Sequence, residues 1–235
     1  MHHPVNPAAA VENAPATAAK PSSAGPKKPR GRPRKTLDER DDGNRRVELL
    51  HAAARLFHEK GFDATRTRDI AAAVGMQSGS PFYHFKTKNA LLYAVMEEGM
   101  RSALARQGAV LQAATANAPD AEALLRLLVR SHFEVLLGPG SDFIPVMLYE
   151  SRALTARQRI LLARLQRDYE AVWEPVLQTL CESGRLHGPL KLVRLLIFGA
   201  LNWSVKWFDV RKGASLDDLS DAAIALFLQA PPRPE

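Results

Sequence analysis

Cysteine is almost absent from the chain, and this excludes two ways of stabilising a fold. Cys181 is the only cysteine among 235 residues, so no disulfide can form within the chain. A structural zinc site would need ligands from the 7 histidines, which are scattered along the sequence. We therefore expect no metal and no cofactor, and a reducing, cytoplasmic location.

Long uninterrupted hydrophobic runs are also missing. The best candidate for a membrane span, residues 190–208, is interrupted by Arg194, Asn202 and Lys206, which are costly in hydrocarbon. The first twenty residues lack the basic and continuous apolar regions of a secretory signal. We therefore predict neither a membrane span nor a membrane partner.

Sequence patterns of catalysis are missing as well. His132, His187, Cys181 and the carboxylates show no HExxH, paired CxxC or Ser-His-Asp order. We therefore expect no catalytic residue and no enzyme activity. An all-helical enzyme acting on a small molecule is an alternative that turnover of a bound ligand would support.

Positive charge is abundant, with a formal net charge of +7 and a pI of about 9.7. This balance favours polyanionic partners, nucleic acid first and an anionic membrane surface second. Residues 1–42 are rich in Ala, Pro, Ser and charge and poor in large apolar side chains, so we predict a disordered basic arm. Within it, residues 27–35 read KKPRGRPRK, without an acid.

The remaining sequence has helical periodicity and no strand pattern, which predicts an all-α fold. A helix-turn-helix DNA-binding domain of three helices is predicted over residues 43–90, and a helical ligand-binding and dimerisation domain over 91–230. Thr87 is predicted to cap a long helix, and Ser215 with Asp218 to open the last one. The predicted helices cover residues 45–60, 67–74, 78–84, 119–137, 142–150, 154–182, 188–208 and 216–229.

Residues 67–84 form two short predicted helices joined at Gly75-Met76. Such helices cannot bury an apolar face alone, so they should dock on the first helix and leave the outer face of the third free for a major groove. A plain packing unit is the alternative. The third helix favours DNA reading, because its side chains are largely polar or amphipathic: Gln77, Ser78, Ser80, Tyr83 and His84.

Three segments resemble the TetR/AcrR family of transcriptional regulators, LFHEKGF, DATRTRDIAAAVGM and SGSPFYHFKTKNALLYAV, and the resemblance covers about residues 45–96. The resemblance implies that the polar residues of the third helix face DNA and that Arg68 reaches a base edge or a phosphate. It also implies that Lys88, at the start of helix four, meets a phosphate. Arg66, included among the DNA contacts, stands where the family commonly has a capping Ser or Thr, which leaves Thr65 or Thr67 to cap helix two.

Residues 29–33, Pro-Arg-Gly-Arg-Pro, resemble the core of an AT-hook. Glycine permits close approach to the groove floor, and Arg30, Arg32 and the following Arg34 can bind a narrow A/T-rich minor groove, where negative potential is concentrated. A solvated charge run is the alternative.

The C-terminal region has the length to hold a small-molecule effector. We predict that a cavity is lined by Met96, Phe133, Met147, Tyr149 and Trp173, each of which could instead belong to the core. Residues 198–221 resemble a TetR subgroup whose members often respond to acyl-coenzyme A thioesters, which makes an acyl-CoA a candidate effector.

The penultimate predicted helix is apolar over more than one stripe, so it must be buried from two sides, and the last helix supplies a matching apolar face. An isologous homodimer interface explains this, with Leu195, Phe198, Trp203 and Leu226 as its residues. A helix fully buried within the monomer is the alternative.

These expectations combine into a homodimer that binds double-stranded operator DNA. It is expected to act as a repressor released by a small-molecule effector. The alternative is an architectural nucleoid protein that binds DNA independently of a ligand.

Overall fold

The computed structural model describes residues 37–76, 81–114 and 118–228, and within these ranges the regular structure is entirely helical. The predicted all-α fold is therefore confirmed. The helices are α1 (Leu37–Lys60), α2 (Thr67–Ala73), α3 (Pro81–His84), α4 (Lys88–Ala114), α5 (Ala121–Leu137), α6 (Phe143–Glu150), α7 (Ala156–Ala171), α8 (Glu174–Glu182), α9 (Leu190–Trp203) and α10 (Leu216–Phe227).

Helix α1 begins at Leu37, eight residues before the predicted start at Arg45. The prediction depended on apolar periodicity, which starts only at Val47, whereas a helix can continue into polar sequence. Residues 37–42 are therefore helical and do not belong to a disordered arm. The remainder of the predicted arm lies outside the described residues.

Two predicted helix starts are confirmed by their capping hydrogen bonds. The backbone N–H of Ala90 donates to the Thr87 hydroxyl at 3.0 Å, and α4 begins at the next residue, Lys88. At α10 the N–H of Asp218 donates to Ser215 Oγ at 3.1 Å, and the N–H of Ser215 donates to the Asp218 carboxylate at 2.8 Å. These bonds satisfy donors that the first turn of a helix leaves without partners.

The predicted cap of α2 is wrong. Arg66 precedes the first turn, and its backbone N–H donates to the Asp69 carboxylate at 3.3 Å. Thr65 is fully buried instead, with its hydroxyl 3.0 Å from the Leu56 carbonyl oxygen and 2.8 Å from that of Gly61. Thr65 therefore connects the loop before α2 to the end of α1 by hydrogen bonding and does not cap α2.

The long helix predicted over 154–182 is divided into α7 and α8 at Val172 and Trp173. Pro175 is the second residue of α8 and has no backbone N–H, so it fits the first turn of a new helix better than a helix interior. The break places the Trp173 ring in the core, where it is fully buried. The helix predicted over 188–208 likewise ends at Trp203 and is followed by a 3-10 turn, Ser204–Lys206.

Helices α4 and α5 are central to the fold. Helix α4 packs against α1, α5, α6 and α7, and α5 packs against α8, α9 and α10. The first turns of α4 carry buried Leu91, Leu92 and Val95, and its middle carries Met100 and Ala103. Within the described ranges, no helix is both long and apolar enough to cross a bilayer.

Candidate nucleic-acid interface and ligand pocket

A tight turn follows α2 and directs the chain towards α3. Ile70 and Ala71 are fully buried on the inner side of α2, which packs against α1. Gly75 has a φ of +66°, the left-handed conformation that glycine adopts at little cost. The N–H of Met76 then donates to the Ala71 carbonyl oxygen at 2.9 Å. The predicted docking of α2 on the first helix is therefore present.

The end of α3 carries an aromatic residue that the protein leaves exposed. Tyr83 is 84% exposed, and its ring meets the His84 ring edge-to-face at 5.4 Å between centroids. A large side chain this exposed contributes little to folding and is available to a partner. The other predicted contacts of this helix, Gln77, Ser78 and Ser80, lie outside the described residues, as do Arg30, Arg32 and Arg34 of the arm.

Both predicted arginines at the start of α2 are exposed. The Nε of Arg68 lies 3.8 Å from a carboxylate oxygen of Asp69, and the Arg68 side chain remains 63% exposed. Arg66 lies directly before the helix. Two exposed guanidinium groups therefore lie at this end of α2, where the helix dipole also favours an anion.

Lys88 is the first residue of α4 and is held against the loop that follows α1. Its Nζ lies 4.2 Å from the centre of the Phe62 ring and donates to the Asp63 carbonyl oxygen at 3.4 Å. This cation–π contact and hydrogen bond fix the ammonium group at the helix N-terminus. The predicted phosphate contact of Lys88 remains a prediction.

A cavity lies between α4, α5, α6, α7 and α9. It has a volume of about 60 Å³ for the centres of water-sized spheres, and of about 410 Å³ when the open solvent at its mouth is counted. Its walls are mainly apolar, with a smaller polar section: Met100, Ala103, Val135, Ile144, Met147, Leu148 and Phe198, and His132, Gln166, Tyr169, Glu170 and Asn202.

Of the five predicted ligand residues, the structure places only Met147 in this wall. Met96, Phe133 and Trp173 are buried core residues away from it. Tyr149 is 39% exposed and lies beneath the Lys206 ammonium, whose Nζ is 3.7 Å from the ring centre. Apolar periodicity predicts that a side chain is buried, but not whether it faces a cavity.

The polar wall residues were missed by the sequence analysis, although a signal was present. His132 and Asn202 interrupt otherwise apolar helical stretches, and such interruptions are expected where a buried polar site exists. In the structure, His132 Nδ1 lies 3.0 Å from the Tyr169 hydroxyl and Nε2 lies 3.1 Å from Asn202 Oδ1. These three residues form a hydrogen-bonded chain, which we name the polar triad.

The polar triad is uncharged. Burial lowers the pKa of His132 from 6.5 to about 4, although the hydrogen bond with Asn202 opposes this shift. Burial also raises the pKa of Tyr169 far above its ordinary value. The His132 ring is enclosed by aromatic neighbours, with centroids 5.8 Å from Trp173 and 5.4 Å from Phe198. The triad therefore offers hydrogen bonds without charge near neutral pH.

A second, smaller cavity adjoins the first and shares Ala103, Val135 and Ile144 with it. On the same two measures its volume is about 40 Å³, or about 300 Å³ with open solvent, and its wall includes Arg106, Ser102 and Ser141. A mainly apolar cavity therefore lies beside a smaller one whose wall includes the Arg106 cation.

Helix α9 presents an apolar stripe to solvent, opposite the face that it buries. Val193, Ile197 and Leu201 are buried in the core. The exposed stripe on α9 and the turn after it consists of Leu192, Leu195, Leu196, Trp203 and Trp207, each at least half exposed. A helix fully buried within the protomer is therefore excluded for α9. Of the predicted interface residues, Leu195 and Trp203 lie in this stripe, and Leu226 is exposed on α10.

Phe198 was also predicted to lie in the interface, but the structure places it in the interior. It is only 8% exposed, its ring is 4.7 Å from that of Trp173, and it lines the cavity. On a helix with two apolar faces, Phe198 is one position from Ile197 and follows the inner face. Sequence periodicity could not separate the two faces.

Helix α6 connects the cavity wall to the helix-turn-helix unit. Its inner side lines the cavity, whereas its first residue, Phe143, meets the His51 ring of α1 edge-to-face at 5.0 Å. Asp142, just before α6, lies 2.8 Å from His58 Nδ1 of α1. Beyond its other end, the Asn89 side-chain amide of α4 donates to the Ala153 carbonyl oxygen at 2.6 Å.

A helix-turn-helix unit packed on a helical domain with an internal cavity defines a class of DNA-binding transcriptional regulators. Residues 49–95 match the family model described as bacterial regulatory proteins, tetR family, and residues 118–230 match the tetracyclin repressor-like C-terminal domain. The chain belongs to the TetR family and is a helix-turn-helix transcriptional regulator.

Individual proteins show the same relationship along most of the chain. The transcriptional repressor KstR2 of Rhodococcus jostii is 28% identical over 189 residues, covering 78% of this chain and 89% of that protein. The structure of PfiT, described as a superantigen, is 34% identical with a TM-score of 0.64 and covers 79% of this chain and 96% of PfiT. AibR, solved with isovaleryl coenzyme A and operator DNA, shares the fold at 22% identity and a TM-score of 0.69, covering 78% of this chain and 97% of AibR.

Proposed function

We propose that the protein is a homodimeric repressor that leaves its operator when an acyl-coenzyme A thioester binds the C-terminal cavity. It binds this effector without transforming it. The observation that carries the proposal is the double contact of α6, which lines the cavity and also meets α1. A ligand and the DNA-binding unit therefore act on the same helix.

The coupling follows from close packing around α6. Ile144, Met147 and Leu148 line the cavity, and a ligand that displaces them must move α6 because packed interiors do not yield continuously. Movement of α6 disturbs the contacts of Phe143 and Asp142 with α1 and the hydrogen bond from Asn89 of α4. The effect on DNA affinity can only equal the difference in ligand affinity between the two conformations.

Dimerisation supplies the geometry that DNA recognition needs. The exposed stripe on α9 is self-complementary in chemistry and, together with exposed Leu226 on α10, can be buried against a second copy. A two-fold dimer places two recognition units about one helical turn apart, near 34–36 Å, on a two-fold symmetric operator. A change in the position of α1 and α4 alters this spacing and releases the DNA.

The chemistry of the two cavities supports a thioester as effector. The first accepts an apolar acyl group, and the second places Arg106 where an anionic, polar extension can continue. The repressor activity named for KstR2 and the isovaleryl coenzyme A bound to AibR support the same assignment, each as a property of that protein.

Footprinting followed by effector release tests the proposal. A discrete, two-fold symmetric protected site next to the protein's own gene is expected, and selected acyl-CoAs should abolish the protection. Tyr83→Ala should weaken operator binding by about tenfold, which is the order of one lost specific contact, whereas Ile160→Ala, at an exposed position on α7, should not.

Two outcomes would contradict parts of the proposal. Diffuse coating of A/T-rich DNA without a discrete site would favour the architectural alternative. Discrete protection that no acyl-CoA abolishes would support a DNA-binding regulator but contradict an acyl-CoA effector.

A further inference from the structure

The polar triad has hydrogen-bonding capacity that the described protein does not use. A neutral imidazole carries one N–H, and Asn202 Oδ1 can only accept, so His132 donates from Nε2 and accepts at Nδ1 from the Tyr169 hydroxyl. The Oδ1 of Asn202 therefore already accepts a hydrogen bond from within the protein. Among the described residues, the Asn202 Nδ2 group makes no hydrogen bond, although its residue lines the cavity.

The triad is held in place by its surroundings. In the amide orientation that satisfies both of its groups, buried Gln107 donates to the Tyr169 carbonyl oxygen at 3.1 Å and accepts from Trp173 Nε1 at 2.8 Å. Tyr169 and Trp173 are both buried and stand beside His132. The amide of Asn202 is therefore presented by a side-chain network with little freedom, the condition under which a donor discriminates between ligands.

The charges around the cavity exclude an ionic partner for this amide. The cavity wall, over its described residues, has no lysine or arginine, so a buried anion would have no counter-charge. The single carboxylate of the wall, Glu170, already pairs with Arg194. An uncharged acceptor on the ligand satisfies the amide at the lowest cost in desolvation.

We propose that Asn202 is a specificity-determining residue whose side-chain amide donates to an uncharged carbonyl oxygen of the effector within the apolar cavity. This inference rests on the proposed function, because it takes the cavity as the effector site. The carbonyl is either that of the thioester or a keto group further along the acyl chain. Saturated hydrocarbon alone leaves the amide without a partner and binds less tightly.

Paired probes test the subsite without any need for DNA or coenzyme A. Cyclohexanone and methylenecyclohexane have nearly the same shape and differ in a carbonyl oxygen against a CH₂ group. Their dissociation constants are measured by titration calorimetry on the full chain. In Asn202→Leu the preference for the ketone over the alkene should fall about tenfold relative to the unsubstituted protein, the order expected for one buried hydrogen bond.

Gln166→Leu is the matched control, because it removes another amide from the cavity wall, one that donates to Met147 Sδ at 3.7 Å. The ketone preference should survive in this variant. If Asn202→Leu does not fold, Asn202→Ala removes the same amide with a smaller side chain that has no donor. An unchanged preference in the Asn202 variant, or failure of both probes to bind, overturns the subsite.

A second pair distinguishes the two sources of the carbonyl. Octanoyl-CoA and its thioether analogue octyl-CoA should differ about tenfold in affinity if the thioester carbonyl occupies the subsite, and should bind alike if the subsite instead takes a keto group further along the acyl chain of the effector. If acyl-CoAs release the operator but Asn202→Leu keeps the ketone preference, the subsite is refuted and the proposed function stands. A lowered preference in Asn202→Leu without any operator release removes the acyl-CoA assignment and retains the subsite.

Discussion

Protonation of His132 should destabilise the protein in mildly acidic solution. Burial lowers the pKa of His132 to about 4 in the folded protein, whereas the exposed ring of the unfolded chain keeps the ordinary value of 6.5. Between these values the unfolded state takes up a proton that the folded state excludes, so stability falls as the pH falls through this window. One pKa unit corresponds to about 1.4 kcal/mol, so the full loss is about 3 kcal/mol.

Urea unfolding of the wild-type protein and of His132→Gln, measured between about pH 7 and pH 4, isolates this contribution. Surface carboxylates titrate in both proteins, and their contributions cancel in the difference. The wild-type protein should lose about 3 kcal/mol more than the variant across the range. His187→Gln, at an exposed histidine, should retain the wild-type profile. If the free energy of unfolding falls equally with pH in the wild type and in His132→Gln, burial of His132 does not lower its pKa as argued.

The remaining predictions concern three other parts of the molecule. Leu195→Asp should dissociate the dimer in sedimentation equilibrium. Ile160→Asp should not, because Ile160 is similarly exposed but lies outside the stripe. A dimer that survives Leu195→Asp would mean that the interface lies elsewhere. An added methyl group at Gly99 would lie 2.7 Å from a side-chain atom of α6, so Gly99→Ala should lower the free energy of unfolding by about 1–3 kcal/mol and weaken operator binding. Gly108→Ala, in the same helix with open space around it, is the control, and equal effects would contradict the packing argument. A chain that starts at Leu37 keeps α1 whole and should bind operator more weakly with a flatter salt dependence; an unchanged salt slope would remove the basic arm from the DNA contact.

Local sequence signals were sufficient for the element types and several boundaries. Thr87 and Ser215 have side chains that accept hydrogen bonds from the following turn, and both caps occur as predicted. Gly75 permits the left-handed turn after α2. The division between α7 and α8 was missed because Pro175 is compatible with a first turn as well as with a kink, and only the burial of Trp173 decides between them.

The cavity was less predictable, because apolar patterning does not distinguish an empty interior from a filled one. Met96 and Met100 are four positions apart on α4, and both are buried, yet only Met100 faces the cavity. Which of them does so depends on how α6 and α7 cross α4, a non-local property. Polar residues in apolar helices were the stronger signal, since His132 and Asn202 both belong to the wall.

Under the proposed function, helix α9 links dimerisation to effector binding. Phe198 and Asn202 on its inner side line the cavity, while Leu195 and Trp203 on its outer side form the exposed stripe. A helix of 14 residues moves nearly as a rigid element, so an effector that shifts the inner residues also shifts the surface available to the partner subunit. Because binding free energies are linked reciprocally, an effector that changes the stability of the dimer by some factor has its own affinity changed by dimerisation by the same factor. We therefore expect control of DNA affinity through this helix to add to the control proposed for α6.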